Sequence, residues 1–324
     1  MRNAHLLRFA VGSEGFINSR GIASRVELDR MVRRAEELGY AIFLVSDHFA
    51  NGLTTVATLM AAADAGKTIR IGSFVFDNDF RHPAQLAKEV ATLDLLSGGR
   101  CELGIGAGWY QAEYDQVGLP FDRPGIRIER LAEAITIIKQ FFTKPSVNFA
   151  GTYYRVTGLE SLPKSPQQPH PPIFIGGGGK RVLTLAAQQA DIVGIVPMPT
   201  NDETIRASER TEAALERKVS WIREAAGEQF ATLELNIQIY DVAVTEDRRQ
   251  AAEERARKEI ERHPSRTYLT PEAILADPFR LIGNESQIVE RIRHLREAYG
   301  ISYFMIDNVE MEAMAPVVAQ LAGT

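Results

Sequence analysis

The segment LDLLSGGRCELGIGAGW, from Leu93 to Trp109, is the part of the chain that most restricts the fold. It contains, in order, the end of a helix, a glycine turn, a short buried strand and a second glycine turn. Gly98-Gly99 stands where a helix end requires a positive φ, and Cys101–Ile105 has the length and apolar bias of a strand covered on both faces. This order is typical of parallel α/β folds, which bind ligands at the C-terminal ends of their strands. Close approach of a ligand at that end is allowed by alternating glycines, Gly104, Gly106 and Gly108.

Strand-like and helix-like segments alternate along the whole chain, which predicts a mostly parallel sheet. The predicted strands are Leu7–Val11, Ile42–Ser46, Ile69–Phe76, Cys101–Ile105, Ile173–Ile175, Ile192–Val196, Leu233–Val244 and Tyr303–Ile306. The predicted helices are Val26–Leu38, Thr54–Asp64, Pro83–Ser97, Arg127–Phe142, Arg181–Gln189, Asp202–Ala226, Glu246–His263, Pro271–Asp277, Glu285–Tyr299 and Glu310–Leu321. This pattern in 324 residues fits an α/β fold of the (β/α)8 TIM barrel type with insertions, and a doubly wound open sheet is the alternative.

Residues 143–171, TKPSVNFAGTYYRVTGLESLPKSPQQPHP, interrupt this alternation because they are rich in proline and aromatic residues. We predict that they form a small hairpin inserted into a single barrel domain that covers residues 1–324, rather than a domain boundary. Three aromatic residues of the insertion either cover the mouth of the barrel or fold the insertion on itself: Phe149, Tyr153 and Tyr154.

The composition argues against several classes of partner. The net charge of −5 provides no basic surface for nucleic acid or an anionic membrane. The sequence has no apolar run long enough to span a bilayer, and its N-terminal apolar stretch is too short for a secretory signal. The single cysteine, Cys101, excludes an internal disulfide and a cysteine metal cluster. We therefore expect a cytoplasmic protein with neither nucleic acid nor membrane as a partner.

Two further motifs follow predicted strands. In LVSDHF, the side chain of His48 can exchange a proton near neutral pH. Its neighbour Asp47 either orients the imidazole or caps the helix that starts near Thr54.

In PHPPIFIGGGGKR, Pro169 to Arg181, a run of four glycines opens a helix. Free backbone N–H groups and the positive end of the helix dipole suit a phosphate at this position. Lys180 and Arg181 can add charge-assisted contacts to the same phosphate.

Together, these motifs resemble the signatures of luciferase-like flavin and deazaflavin oxidoreductases. The resemblance covers about Leu7 to Asp307. It is strongest to the subgroup that depends on coenzyme F-420, through FDRPGIRIERL and GGGGKRVLTLAAQQADIVG. It implies a (β/α)8 barrel that binds F-420 at its C-terminal mouth and transfers a hydride to or from a small-molecule substrate.

The resemblance also implies site residues. His48 and Asp47 are the catalytic candidates, and a non-proline cis peptide between Phe74 and Val75 would form a bulge behind the ring. Some relatives that act on sugars or alcohols have a glutamate at the position of Trp109, so here the proton donor would lie elsewhere. Trp109 would then form a wall of the substrate pocket or pack as an ordinary core residue. The implied cofactor-binding residues are Phe74, Val75, Ala107, Gly108, Trp109, Gly176, Gly177, Gly178, Gly179 and Lys180.

Two alternative functions stay open. The first is an FMN-dependent monooxygenase, in which reduced flavin activates oxygen and a separate flavin or deazaflavin reductase supplies the reduced cofactor. The second is a flavin-binding protein without turnover. Because relatives are often dimers, the resemblance also allows a homodimer.

Several other polar residues are expected to have ordinary roles. We interpret Asp77-Asn78-Asp79 as turn residues rather than metal ligands, and no metal site is expected because the histidines lack zinc spacing. Glu113 and Tyr114 are predicted to be exposed positions of a helix, and Arg280 is predicted to lie at the solvated surface before a late strand.

Overall fold

Eight parallel strands close into a barrel in the computed structural model, which describes residues 5–12, 22–49, 52–198, 207–263, 266 and 269–324. The strands are β1 (Arg8–Gly12), β2 (Ile42–Val45), β3 (Arg70–Ser73), β4 (Phe76–Asp77), β5 (Cys101–Gly106), β6 (Ser146–Ala150), β7 (Arg155–Glu160), β8 (Ile173–Gly177), β9 (Ile192–Ile195), β10 (Glu234–Gln238), β11 (Asp241–Val244), β12 (Arg280–Gly283) and β13 (Ile301–Asp307). The helices are α1 (Arg25–Glu37), α2 (Thr55–Ala65), α3 (Pro83–Leu96), α4 (Gln111–Val117), α5 (Pro124–Thr143), α6 (Lys180–Gln189), α7 (Glu212–Ala226), α8 (Arg248–Arg262), α9 (Pro271–Ala276), α10 (Glu285–Tyr299) and α11 (Met311–Leu321).

The barrel order is β3, β2, β1, β13, β10, β9, β8 and β5, and β5 pairs back onto β3 to close the ring. Every one of these pairings is parallel. The predicted (β/α)8 barrel is therefore confirmed, and the doubly wound open sheet is wrong because its edge strands would stay unpaired.

Two predicted strands are each divided in the structure. The segment Ile69–Phe76 forms β3 and β4, separated by the predicted non-proline cis peptide between Phe74 and Val75. The segment Leu233–Val244 forms β10 of the barrel and then β11, which pairs with β12 in a separate two-stranded sheet. The strand β12 was missed from sequence, and α4 was predicted only as a helix without bounds around Glu113 and Tyr114.

One predicted helix, Asp202–Ala226, begins later than expected. The helix α7 starts at Glu212, with the Thr211 hydroxyl as its cap, and residues 199–206 lie outside the described residues.

Arg280 is also different from its prediction. It lies within β12 and is 8% exposed, so it is not a solvated surface residue. Its guanidinium contacts the carboxylates of Asp241, Glu259 and Asp277. These opposite charges compensate for the burial of the arginine.

The interior of the barrel is layered. At the N-terminal ends of the strands, Arg8 contacts Glu102 at 2.6 Å and Glu234 at 2.5 Å, and Arg70 contacts Glu102 at 2.8 Å. These charges are satisfied by one another, as buried charges require. Above them lies an apolar layer of Ala10, Ile42, Leu44, Phe174, Ile192, Tyr303 and Met305.

The insertion contains the predicted hairpin, formed by the antiparallel strands β6 and β7. Its tip is held by Glu133 of α5, which accepts from the backbone N–H groups of residues 152–154. The Tyr153 hydroxyl donates to Glu129, and the Tyr154 hydroxyl accepts from Asn78. Phe149 and Tyr154 pack against the core, so these side chains attach the hairpin to α5 and to the loop after β4.

Candidate functional site

His48 and Glu113 form a polar pair at the mouth of the barrel, where the C-terminal ends of the strands lie. His48 follows β2, and Glu113 lies in the first turn of α4, which follows β5. His48 Nδ1 is 2.7 Å from Glu113 Oε2, and Glu113 is 1% exposed. A buried carboxylate needs a hydrogen-bond donor, so this contact favours the Nδ1–H tautomer and fixes the imidazole orientation. The prediction that Glu113 is an exposed helix position is wrong.

Asp47 has a role that neither prediction described. Its two oxygens accept from the Arg81 guanidinium at 2.7 and 3.1 Å. They also accept from the Thr55 hydroxyl at 2.7 Å and from the backbone N–H of Asp77 at 3.0 Å. The residue that contacts the imidazole is Glu113, and the N-cap position of α2 is Thr54, whose side chain makes no capping hydrogen bond. Asp47 therefore connects the loop after β2 to the loop after β4.

A buried acidic cluster lies directly below this pair. The Tyr114 hydroxyl is 2.9 Å from each oxygen of Asp77 and 3.1 Å from Asp79 Oδ2. Arg130 donates to both oxygens of Asp79 at 2.8 and 2.6 Å. Tyr114 is fully buried, contrary to its predicted exposure. Asp77 and Asn78 are buried as well, so this segment is more than a surface turn.

Burial raises the pKa of Asp77 from its ordinary value of 3.8 to about 7. This value of about 7 already includes the negative charges of Asp79 and Asp47, which also raise the pKa, and the hydrogen bonds from Asp79 N–H and the Tyr114 hydroxyl, which lower it. The folded protein therefore holds a proton on Asp77 that the unfolded chain releases near pH 4. The stability that this proton confers is complete below about pH 4 and is lost as the pH rises through about 7.

Replacing Asp77 with asparagine is expected to flatten this part of the pH dependence, because the amide cannot ionise. The difference in unfolding free energy, Asp77→Asn minus wild type, should therefore increase by on the order of 3 kcal/mol from pH 4 to pH 8. Urea unfolding at several pH values measures it. The control is Asp115→Asn, at an exposed position of α4. A variant curve parallel to wild type would contradict the expectation.

The predicted bulge forms the floor of the mouth. Phe74 and Val75 are half-buried and pack on the apolar layer, with the Phe74 and Phe174 rings 5.4 Å apart. A Cβ at Gly104 would lie 1.9 Å from the Ser73 carbonyl oxygen, and one at Gly106 would lie 2.8 Å from Val75 Cγ2. These two glycines therefore make room for the protein's own bulge, and not for a ligand as predicted.

The turn after β5 brings Trp109 beside His48. Their ring centroids are 6.4 Å apart with an interplanar angle of 88°. Gly108 has a φ of +72°, and a Cβ there would lie 1.9 Å from the Tyr114 hydroxyl and 2.5 Å from Asp77 Oδ2. Only glycine can therefore cover the acidic cluster at this point. Ala107 packs against the core, and Trp109 is 40% exposed.

The four predicted glycines after β8 differ in their surroundings. Gly176 and Gly177 end β8, and a Cβ at Gly177 would lie 2.3 Å from Val182. A Cβ at Gly178 would lie 2.6 Å from the Val196 carbonyl oxygen, whereas one at Gly179 would meet, among the described residues, only Met198 Sδ at 3.7 Å. Gly179 is the N-cap of α6, and no side chain in the described part of the chain caps this helix.

The two basic residues that follow both contact glutamates. Lys180 Nζ is 4.0 Å from Glu224, at an exposed position. Arg181 donates to Glu129 at 2.6 Å. The predicted contribution of Arg181 to a phosphate site would therefore compete with this ion pair.

Lys218 is a supporting residue that sequence analysis missed. It lies on α7, is 1% exposed, and donates to the Val196 carbonyl oxygen at 2.7 Å. Its ammonium group also contacts Glu209 at 2.6 Å. Because Gly178 packs directly on Val196, this pair supports the glycine turn from behind. The only sign of this role in the sequence is that a lysine occupies an apolar position of the helix pattern.

Within the described ranges, no three His, Cys, Asp or Glu side chains converge as metal ligands. Among the described helices, none has the length and apolar character to cross a membrane.

Comparisons with known proteins agree with the geometry. The sequence model of the luciferase-like monooxygenase family matches residues 15–302. An F-420-dependent glucose-6-phosphate dehydrogenase from Amycolatopsis mediterranei is 35% identical over 166 residues, which are 49% of each chain. An FMNH2-dependent dimethylsulfone monooxygenase from Pseudomonas putida is 34% identical over 109 residues, 34% of this chain and 30% of the relative. The chain thus spans half or less of the length of these relatives.

A solved structure extends the comparison to the whole fold. The coenzyme F-420-dependent tetrahydromethanopterin reductase from Methanopyrus kandleri superposes with a TM-score of 0.77 at 20% identity. The superposition covers 98% of this chain and 99% of the reductase. The two proteins therefore share the barrel fold.

Proposed function

The chain belongs to the luciferase-like monooxygenase family, and we propose that it is an oxidoreductase that transfers a hydride between coenzyme F-420 and a small organic substrate. The observation that carries the proposal is the His48–Glu113 pair at the barrel mouth, beside an apolar floor and an uncapped helix N-terminus. The F-420-dependent dehydrogenase that matches half of the chain supports the choice of cofactor.

The residues at the mouth fit such a cofactor. Among the described residues, no side chain caps the N-terminus of α6, and the nearest atom to a Cβ at Gly179 is Met198 Sδ at 3.7 Å, so the first backbone N–H groups of the helix suit a phosphate. We propose that residues 176–180 hold the phosphate and that Phe74, Val75, Ala107, Gly108 and Trp109 hold the ring. When bound, reduced F-420 supplies a hydride from C5 of its ring.

In this proposal the protein handles the proton that accompanies the hydride. Glu113 keeps the Nδ1 proton of His48 in place, so Nε2 is the atom that gives a proton to the substrate or takes one from it. Asp47 acts through position alone, because its charge is already paired with Arg81. The apolar floor limits water at the reacting atoms.

Replacing Gly179 with aspartate tests the phosphate site with two readouts that should move in opposite directions. The new carboxylate caps α6 and should raise the free energy of unfolding by about 0.5 kcal/mol. The same charge repels a phosphate, so the dissociation constant of F-420 should rise about tenfold or more. Calorimetric titration measures binding, and urea unfolding measures stability.

The matched control is Gly179→Asn, which has the shape and capping ability of aspartate without its charge. It should keep the gain in stability and lose less affinity. If Gly179→Asp bound F-420 as tightly as wild type, the phosphate would not lie at α6.

The FMN-dependent monooxygenase is the alternative, supported by the dimethylsulfone monooxygenase that matches a third of the chain. Oxygen uptake with reduced FMN distinguishes it, because deazaflavins react poorly with oxygen. Tight cofactor binding without any oxidation by substrates would instead support a flavin-binding protein without turnover.

We also propose that the protein acts as a cytoplasmic homodimer, with residues 1–324 as one barrel domain and 143–171 as its insertion. A groove between α2 and α3 is lined by both apolar and polar side chains, and Leu96 in its lining is 62% exposed. Light scattering should give twice the mass of one chain.

We propose in addition that a separate reductase supplies the reduced cofactor.

A further inference from the structure

Two exposed aromatic side chains lie beside His48. Phe49 follows it in the chain and is 54% exposed, and Trp109 is 40% exposed with its ring edge-to-face against the imidazole. Apolar area left in water favours a ligand that covers it. These rings therefore offer contact area for a flat apolar compound next to the group that handles the proton.

The rings are supported from below by other aromatic side chains. Phe49 packs on Phe80 with centroids 4.5 Å apart, and Phe80 packs on buried Tyr114 at 5.4 Å. Trp109 packs on Tyr110 at 5.3 Å. Side chains held in this way lose little conformational entropy when a ligand stacks on them.

Three arginines in the described part of the same loops are already engaged. Arg81 binds both oxygens of Asp47, and Arg130 binds both oxygens of Asp79. Arg127 donates to the Gly108 carbonyl oxygen at 2.7 Å and lies over the Phe121 ring. An anionic substrate that used one of these three arginines would displace its partner, and it would also face the carboxylate of Glu113. Both effects cost binding energy.

We infer that the substrate side of this site takes an uncharged, planar apolar compound, such as an aromatic ring, and not a sugar phosphate or a carboxylate. The inference rests on the proposed function in placing the substrate at His48. It assigns anion binding to the α6 N-terminus, which follows β8, and apolar recognition to Phe49 and Trp109, which follow β2 and β5.

The test uses two probes with one ring system, naphthalen-2-ol and naphthalene-2-sulfonate. Calorimetric titration of the full chain, with and without F-420, measures their affinities. With F-420 bound, so that the proposed anion site at α6 is filled, we expect the neutral probe to bind at least tenfold more tightly than the sulfonate. Trp109→Ala should weaken the neutral probe about tenfold, and Trp109→Phe should restore most of the affinity because it keeps an aromatic face.

With F-420 bound, equal or tighter binding of the sulfonate would overturn the inference, and so would failure of both probes to bind or an unchanged affinity in Trp109→Ala. Circular dichroism of each variant establishes that it is folded. The F-420 titration in the same experiment separates the two proposals. If F-420 binds and the neutral probe does not, only the substrate class is wrong, whereas failure of F-420 to bind counts against the proposed function.

Discussion

Replacing His48 with asparagine is expected to lower the turnover number about 10²- to 10⁴-fold, the usual contribution of a positioned acid or base. The asparagine amide can still donate to Glu113, so the buried carboxylate keeps a partner and the fold is preserved. It cannot give or take a proton near neutral pH. Single-turnover oxidation of reduced F-420 by a substrate measures the effect.

Binding of F-420 to His48→Asn should stay within about threefold of wild type, because the loss concerns the reaction and not the ground-state complex. The control is His82→Asn at the cap of α3, where asparagine can replace the imidazole as a hydrogen-bond acceptor. Its turnover should be close to that of wild type. If His48→Asn kept more than a tenth of wild-type turnover, His48 would not be the proton-handling group.

Replacing Gly104 with alanine is expected to destabilise the folded protein by about 3 kcal/mol or more. The new Cβ would lie 1.9 Å from the Ser73 carbonyl oxygen and 3.2 Å from Val75 Cγ1. The strands cannot separate easily, because the Ser73 hydroxyl donates to the Gly104 carbonyl at 2.7 Å and accepts from its N–H at 3.1 Å. Urea unfolding followed by circular dichroism gives the change.

The matched control for Gly104→Ala is Gly176→Ala on the neighbouring strand β8. A Cβ there meets Phe174 and Val75 only at 3.4 and 3.7 Å, which are ordinary contact distances. Its unfolding free energy should change by less than about 1 kcal/mol. Equal stability of the two variants would mean that the bulge at Val75 does not require the glycine in β5.

The fold could be predicted largely from the sequence because its signals are local. Helix ends are marked by glycines and caps, and the predicted helix Glu285–Tyr299 matches α10 at both ends. The division of Leu233–Val244 was missed because β11 is apolar like a barrel strand. Its departure from the barrel depends on pairing with β12, about forty residues later in the chain.

The site was harder to predict, because its partners come from distant segments. Glu113 and Tyr114 lie on a helix of two turns, too short for a clear apolar pattern. Their burial depends on His48 and Asp77, which only the barrel brings close. Asp47 was misinterpreted for the same reason, since Arg81 is its partner through the loop after β4. Gly104 and Gly106 were misinterpreted in the opposite direction, because a ligand was expected where the protein's own chain lies. Alternating glycines suggest close approach of a ligand, but here they accommodate Val75.

Parallel titration with oxidised F-420 and oxidised FMN tests the central claim most directly. The chain has two tryptophans, and Trp109 lies at the mouth, so its fluorescence should report on binding. We expect F-420 to bind with a dissociation constant in the micromolar range or below, at least tenfold more tightly than FMN, with quenching that is lost in Trp109→Phe. Tighter binding of FMN, or binding of neither cofactor, would contradict F-420-dependent hydride transfer at this site.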